Sequence, residues 1–351
     1  MEDRYIADIV QQGFNLGASD IHLVDGRPAF YRINGRLMCR AETPPLSGER
    51  IRAWGMDLLA GDQRFKRVDE TGQMDFAITF AGLGRLRINI YFQTGSWAAA
   101  LRLIPREIPG LDSLGVPEII KDLLTEEAGL ILVSGAAGNG KSTTLAGMVG
   151  YINQHQSRHI VTLEDPIEFI HLHDNSIISQ REIGSDTPDF AQGLKSALRQ
   201  DPDVIMVGEM RDYETIAIAV TAAETGHLVL ASLHSRSAVQ TLERIFDVFP
   251  QQHQAQIRGQ LATSLLGVIN QQLIPSPDGE RRWLAAEIMV TNYAIRNLIR
   301  ESRVHQIKSA IQTGAALGMV SMAKSIRCLL QQKKIAPSEA RRRMGSDWLN
   351  E

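Results

Sequence analysis

The residues best suited to chemistry lie in a glycine-rich segment that follows an apolar run. The segment fits the pattern G-x-x-x-x-G-K-[ST] and consists of Gly135, Ala136, Ala137, Gly138, Asn139, Gly140, Lys141 and Ser142, with Thr143 directly after it. Glycines let the backbone wrap closely around an anion, and the N-terminus of a following helix adds its positive end. In such loops the lysine reaches the β- and γ-phosphates, and the serine hydroxyl ligates Mg²⁺. The segment therefore predicts a site for a nucleoside triphosphate and Mg²⁺.

The flanking sequence decides whether this pattern is a real phosphate loop or a glycine-rich turn. Leu130–Val133 is an apolar run typical of a buried strand, and Thr143–Val149 is a plausible helix. A strand before the loop and a helix after it are the two conditions that the phosphate-binding geometry needs. The context favours the functional interpretation over the turn.

Carboxylates follow two further apolar runs. Glu209 follows Val204–Val207 after one glycine, at the position where enzymes with a phosphate loop hold magnesium or its water. Glu164 and Glu168 come after Ile160–Leu163. A carboxylate at this edge of a sheet would face the γ-phosphate and could orient or deprotonate the attacking water. An ordinary strand-ending turn explains Glu164 and its neighbours equally well, so both interpretations stay open.

Two histidines flank the apolar run Leu228–Leu233. An extended chain of this length spans about 20 Å, so His227 and His234 cannot both touch one phosphate. His234 lies at the carboxyl end of the run, where ligands collect in open α/β sheets, and we predict that it senses the γ-phosphate. For His227 a structural role at the strand end is as good an explanation.

The surrounding elements indicate two domains. An amphipathic helix over residues 3–15 and hairpins at Asn34-Gly35 and at residues 82–84 predict an α+β domain, residues 1–106. Residues 107–118, rich in proline and glycine, predict a linker. Apolar runs that alternate with helical stretches then predict an α/β domain over residues 119–351, with a largely parallel sheet and C-terminal helices.

Composition excludes several classes of protein. The 351 residues carry a formal charge of −3, with 22% charged and 44% hydrophobic residues, which is ordinary for a globular protein. This balance disfavours a general nucleic-acid binder, whose affinity comes from clustered basic residues. No apolar run is long enough for a transmembrane segment, and no signal peptide is visible, so we expect a cytoplasmic protein. Two distant cysteines, Cys39 and Cys328, cannot form a disulfide framework.

The order and spacing of these segments resemble the secretion-ATPase superfamily, and within it the PilT-like retraction ATPases of bacterial type IV pili. The resemblance runs from residue 18 to residue 319. Besides the phosphate loop it rests on an Asp-box stretch, a Walker B stretch, a His-box stretch and a retraction-associated signature: Thr162–Glu168, Asp201–Asp212, Thr221–His234 and Ala294–Glu301.

The resemblance implies a homohexameric, Mg²⁺-dependent ATPase with a PAS-like N-terminal domain and a RecA-like C-terminal domain. It would work at the inner membrane through a pilus platform protein and power pilus retraction in twitching motility. It implies that Glu209 is the Walker B acid and Glu168 the catalytic base, with Glu164 as the runner-up. Arginines of the N-terminal domain would reach the triphosphate, and the candidates are Arg87 and Arg102, with Arg85 behind them.

The sequence departs from the family pattern at two places, and two other functions stay open as alternatives. Ala136-Ala137 stand where the family generally has Pro-Thr, and Thr94 stands where an arginine is common. Since backbone amides bind the phosphates, we expect the first change to be mild and the second to lower the rate. The alternatives are an ATPase of a type II or type IV secretion system and a RecA-like nucleic-acid translocase.

Overall fold

The chain divides into two compact units, each with its own hydrophobic core. The computed structural model describes residues 4–39, 43–58, 71–80 and 82–345. The first unit comprises residues 1–107 together with 168–170, and the second comprises residues 108–167 and 171–351.

In the described ranges, the first unit contains an antiparallel sheet of six strands and the helices α1 and α2. The sheet has the order β3-β2-β1-β6-β5-β4. The elements are α1 Arg4–Asn15, β1 Asp20–Leu23, β2 Phe30–Ile33, β3 Arg36–Cys39, α2 Gly48–Leu58, β4 Gln73–Phe80, β5 Gly84–Gln93 and β6 Ser96–Pro105. The α+β prediction for this part of the chain is confirmed, while the PAS-like class stays a prediction. Residue 3 of the predicted first helix lies outside the described residues.

Tight turns connect the two strands of each hairpin in this sheet. Asn34 and Gly35 have φ values of 50° and 82° between β2 and β3, as the sequence predicted. The predicted hairpin between β4 and β5 is also present. A third, between β5 and β6, turns at Thr94 and Gly95, with φ values of 49° and 83°. Both central residues of such a turn need positive φ, which Asn and Gly adopt most readily. Thr94, the residue noted as a departure from the family pattern, thus lies at the tip of a hairpin.

The second unit is a seven-stranded α/β sheet with the order β13-β12-β7-β11-β10-β8-β9. Its strands are β7 Gly129–Ser134, β8 His159–Glu164, β9 Ile177–Glu182, β10 Val204–Val207, β11 Leu228–Leu233, β12 Leu265–Pro275 and β13 Arg282–Val290. Its helices are α3 Leu111–Leu114, α4 Ile119–Leu123, α5 Lys141–His155, α6 Phe190–Ala197, α7 Tyr213–Glu224, α8 Ala238–Val248, α9 Gln254–Ser264, α10 Tyr293–Arg300, α11 Ile307–Thr313, α12 Met322–Gln331 and α13 Pro337–Met344. Only β13 runs antiparallel to its neighbour. The predicted, largely parallel α/β sheet is confirmed.

Burial on both faces explains the uninterrupted apolar runs in the central strands. In β7, Leu130 and Leu132 belong to one core cluster, and Ile131 and Val133 to another. Successive side chains of a strand point to opposite faces, so each strand here packs helices on both sides. As β7, β8, β10 and β11 are parallel, their carboxyl ends meet at one edge of the sheet.

Two features of this unit differ in detail from the sequence interpretation. The segment interpreted as a linker contains the short helix α3, whose Leu111 is buried in the second unit's core. Strands β9 and β12 were not predicted. Among the helices in the described ranges, none combines the length and apolar character needed to cross a bilayer.

Candidate active site

The glycine-rich loop connects β7 to α5 at the carboxyl edge of the sheet. Its first glycine, Gly135, has φ 151°, and a β-carbon placed there would lie 2.7 Å from the backbone oxygen of Gln271 in β12. Gly140, directly before α5, has φ 81°. Residues other than glycine adopt neither arrangement easily, so the loop shape depends on these two positions. Helix α5 begins at Lys141, and its N-terminus faces the loop, which is the arrangement that binds phosphate.

Lys141, His234 and Glu209 form a continuous line of polar contacts at this edge. The Lys141 Nζ lies 3.4 Å from His234 Nδ1, and His234 Nε2 lies 3.3 Å from Glu209 Oε1. An ammonium group only donates hydrogen bonds, so Nδ1 accepts and the proton sits on Nε2, facing the carboxylate. Lys141 also donates to the backbone oxygens of Gly135 and Ala136, at 3.1 and 3.3 Å. The contact between Lys141 and His234 thus joins two motifs that are 93 residues apart in the sequence.

The Glu209 carboxylate is held in its charged form. Partial burial alone would raise its pKa, but the hydrogen bond from Arg211 and the charges of Arg211 and Lys141 bring the pKa below its ordinary value. Arg211 Nη2 donates to Glu209 Oε2 at 2.7 Å. A carboxylate kept ionised beside the phosphate loop is suited to ligating a cation or its water.

A network of hydroxyl and amide groups connects the residue before the phosphate loop with the backbone next to His234. The Ser134 Oγ, just before the loop, accepts hydrogen bonds from Thr241 in α8 and from Asn270 in β12, at 3.0 and 2.9 Å. Asn270 also donates to the backbone oxygen of Ser235 at 3.1 Å, next to His234. Sequence reasoning missed Thr241 and Asn270. For Asn270 the signal in the sequence was three adjacent amides, Asn270-Gln271-Gln272, inside an apolar run.

The acidic residues after β8 have different surroundings. Glu164 is buried, and its Oε1 accepts from Thr162 Oγ1 at 2.7 Å and from Gln180 Nε2 at 3.0 Å. Glu168 is half-buried and belongs to the residues 168–170 that are grouped with the first unit. The choice between these two carboxylates as catalytic base stays a prediction.

His227 lies at the opposite edge of the sheet from the phosphate loop. It precedes β11, which runs parallel to β7, so His227 is at the amino end and His234 at the carboxyl end. Its Nδ1 lies 3.1 Å from the backbone oxygen of Ala222 in the last turn of α7, to which it donates. The structure thus gives His227 a helix-capping contact and does not bring it to the loop of its own chain. The physical reason is that the whole length of β11 separates His227 from the edge where the phosphate loop lies.

The arginine candidates share one face of the sheet in the first unit. Arg87 and Arg102 are directly opposite each other in β5 and β6, while Leu86 and Leu101 beside them are buried on the other face. Arg102 Nε donates to Asp20 Oδ1 at 3.1 Å. Arg85, two residues from Arg87, donates to Thr79 Oγ1 at 3.4 Å. The ion pair with Asp20 offsets part of the Arg102 charge, and the cross-strand register places two guanidinium groups side by side.

The residues at the loop fit a magnesium ion that is ligated by protein oxygens and phosphate oxygens together. Ser142 is exposed at the start of α5, and the Glu209 side chain is 18% exposed. Magnesium takes oxygen ligands and usually binds one or two protein groups together with phosphate and water. Within the described ranges no group of three or more His, Cys, Asp or Glu side chains could hold a metal by itself. A hydroxyl and a carboxylate are therefore the donors that this chain offers.

A phosphate loop between strand and helix, with a carboxylate and a histidine at the ends of neighbouring parallel strands, defines a RecA-like nucleotide-binding domain. The chain belongs to the family described as Type II/IV secretion system protein, which matches residues 2–339.

Comparison with known proteins gives similarity over nearly the full chain. The chain is 47% identical to the uncharacterized protein YggR of Escherichia coli, over 91% of this chain and 96% of that protein. It is 43% identical to the type IV pilus retraction ATPase PilT of Pseudomonas aeruginosa, over 96% of this chain and 97% of PilT. The crystal structure of a pilus retraction motor PilT with bound ADP superposes with a TM-score of 0.87, at 45% identity and 96% coverage of both chains.

Proposed function

We propose that this protein is an ATPase motor that powers type IV pilus retraction. The observation that carries the proposal is the line from Lys141 through His234 to Glu209, which places a cation, a histidine and an ionised carboxylate beside a phosphate loop. Similarity to PilT, whose name states pilus retraction and whose structure holds ADP, supports it.

Each side chain has a definite task in this proposal. Lys141 and the loop N–H groups bind the triphosphate, and Ser142 with Glu209 holds Mg²⁺, which neutralises phosphate charge. Glu168, or failing that Glu164, activates the attacking water. His234 changes partners when Lys141 turns from the loop carbonyls to the γ-phosphate, and so it reports whether that phosphate is present. Because His234 leads into α8, this change reaches an element outside the loop.

The working form in this proposal is a homohexamer that acts on an inner-membrane platform protein of the pilus machinery. Arg87 and Arg102 add positive charge at the triphosphate. Their juxtaposition on one sheet face supports this role, since two neighbouring guanidinium groups can donate to the oxygens of one phosphate group. Hydrolysis removes the γ-phosphate and with it the preference for the ATP-bound conformation.

Hydrolysis is tested with the purified chain and the Lys141→Ala variant. We expect Mg²⁺-dependent phosphate release from ATP by the wild type and a loss of roughly a hundredfold or more in the variant, because the lysine binds the transferred phosphoryl group. Lys195→Ala is the matched control, as Lys195 is exposed and pairs with Glu214 on the surface. Equal turnover by wild type and Lys141→Ala would contradict the assigned site.

Direction of work is tested in a deletion strain scored for surface pili. We expect many pili and no twitching, because pili are assembled but not withdrawn. Bald cells would indicate an assembly motor, and normal pili with lost secretion would indicate a secretion-system ATPase. DNA-stimulated ATP turnover would instead favour the nucleic-acid translocase.

A further inference from the structure

We propose that Gln180 in β9, together with Glu182, is a positioning residue that holds the loop carrying the candidate catalytic base. The loop is residues 165–171, between β8 and β9, and it contains Glu168. The inference rests on the proposed ATPase function and adds two residues to it that no sequence pattern singled out.

The register of β8 and β9 brings four polar side chains together. Strands β8 and β9 are parallel neighbours, and Thr162 faces Gln180 while Glu164 faces Glu182. Residues two apart in a strand share a face, so these four polar side chains lie on one face of the sheet, at its carboxyl edge. The edge strand β9 thus presents an amide and a carboxylate next to the start of the loop.

Gln180 makes two contacts of opposite kind. Its Nε2 donates to Glu164 Oε1 at 3.0 Å, and its Oε1 accepts from the backbone N–H of His171 at 2.8 Å. One amide therefore connects the carboxylate at the beginning of the loop with the backbone at its end. A side chain at this position needs both a donor and an acceptor, which glutamine supplies and glutamate or methionine does not.

Glu182 holds the same loop at a second point. Its Oε2 accepts from the backbone N–H of Ile167 at 3.2 Å. Ile167 and His171 flank residues 168–170. The backbone N–H groups on both sides of the segment with Glu168 are therefore hydrogen-bonded to β9. Both carboxylates considered for the base depend on this strand, Glu164 by direct contact and Glu168 through the loop ends.

The expected consequence is on catalytic rate, since a displacement of about 1 Å in a reacting group can cost roughly a hundredfold in rate. The Gln180 contacts described above reach Glu164 and His171, which lie outside the phosphate loop, so nucleotide binding is expected to survive its replacement. This separates positioning from a general loss of structure.

The test compares Gln180→Met, Gln180→Glu and Ser179→Ala. Methionine has similar length and makes neither contact. Glutamate still accepts from His171 but cannot donate to Glu164. Ser179 is the matched control on the opposite face of β9, where its Oγ lies 3.2 Å from His159 Nε2. Three quantities are measured for each: kcat for ATP, the dissociation constant of a fluorescent ATP analogue, and amide hydrogen exchange of residues 167–171.

We expect Gln180→Met to lower kcat by roughly 10- to 100-fold, to leave the dissociation constant within about threefold, and to speed exchange at His171. Gln180→Glu is expected to lower kcat while His171 stays protected. Ser179→Ala is expected to resemble the wild type. Unchanged exchange in Gln180→Met overturns the inference, and so does wild-type kcat. Absence of turnover in the wild type would instead refute the proposed function, and the exchange measurement still tests the loop contacts.

Discussion

His234 shows how far single residues could be assigned from the sequence. Its position after an apolar run predicted a place at the carboxyl edge of the sheet, and the structure places it there, between Lys141 and Glu209. The phosphate loop was equally clear, because its glycines and lysine have local reasons for their spacing. Thr241, Asn270 and Gln180 could not be identified, since each acts through a contact with residues distant in sequence.

The two histidines of the flanking pair are expected to differ in mutagenesis. His234→Ala should lower kcat by roughly tenfold or more, with little change in nucleotide affinity, because it removes the link between Lys141 and Glu209. His227→Ala should leave kcat within about twofold and lower the free energy of unfolding by about 1 kcal/mol, the usual contribution of one hydrogen bond. Steady-state turnover and urea unfolding measure both. A larger loss of turnover in His227→Ala than in His234→Ala would contradict these roles.

His171 predicts a pH dependence of stability. Burial lowers the pKa of His171 to about 4 from the ordinary 6.5. The folded chain therefore binds this proton less readily than the unfolded chain, and stability is lost as the pH falls from about 6.5 towards 4. Between pH 7.5 and pH 5 this residue should account for a loss of about 2 kcal/mol.

The variant His171→Leu removes that titration and keeps the backbone N–H that contacts Gln180. Urea unfolding of wild type and variant at the two pH values measures the difference. We expect the wild type to lose more stability than the variant on acidification. An equal loss in both proteins would show that His171 is not the group responsible.

Among the elements, the strands that were missed are those with polar side chains. Strand β12 contains Asn270 and Gln271, and β9 ends in Gln180, Arg181 and Glu182. Their polar positions contact the phosphate loop network or the loop after β8, so the same feature that hid them as strands gives them their function. The central strands were predicted because they bury apolar residues on both faces.

Helix α10, which carries the retraction-associated signature, has two distinct sides. Ile295 and Ile299 are fully buried in the core, whereas Tyr293 is 78% exposed and Arg300 is exposed. The buried side accounts for the position of the helix, and the exposed side is available to a partner.

Substitutions on the exposed side of α10 are expected to abolish pilus retraction while ATP hydrolysis continues. Tyr293→Ala and Arg300→Ala should keep ATP turnover within about twofold and abolish twitching, because exposed substitutions rarely disturb the fold. The control Ile299→Ala should lose both, since truncating a buried isoleucine costs about 2–5 kcal/mol. Turnover assays and twitching-zone diameters measure the outcome. Normal twitching in Tyr293→Ala and Arg300→Ala would remove this helix from the pilus contact.

At the scale of the whole molecule, each unit has a hydrophobic core and a sheet of its own. The class of both units followed from sequence periodicity and turn residues, because those signals are local. The family and the pilus role came from the order of motifs along the chain. The homohexamer was implied only by the family resemblance, because the surfaces that form an assembly carry no periodic signal in the sequence.

The central claim, that ATP turnover at Lys141 withdraws pili, is tested most directly by time-lapse imaging of labelled pili in the deletion strain. The strain is complemented with wild type, Lys141→Ala or His234→Ala. We predict that retraction events vanish with Lys141→Ala and slow with His234→Ala in proportion to its kcat, while extension continues. Retraction at wild-type speed in cells that carry only Lys141→Ala would contradict the account.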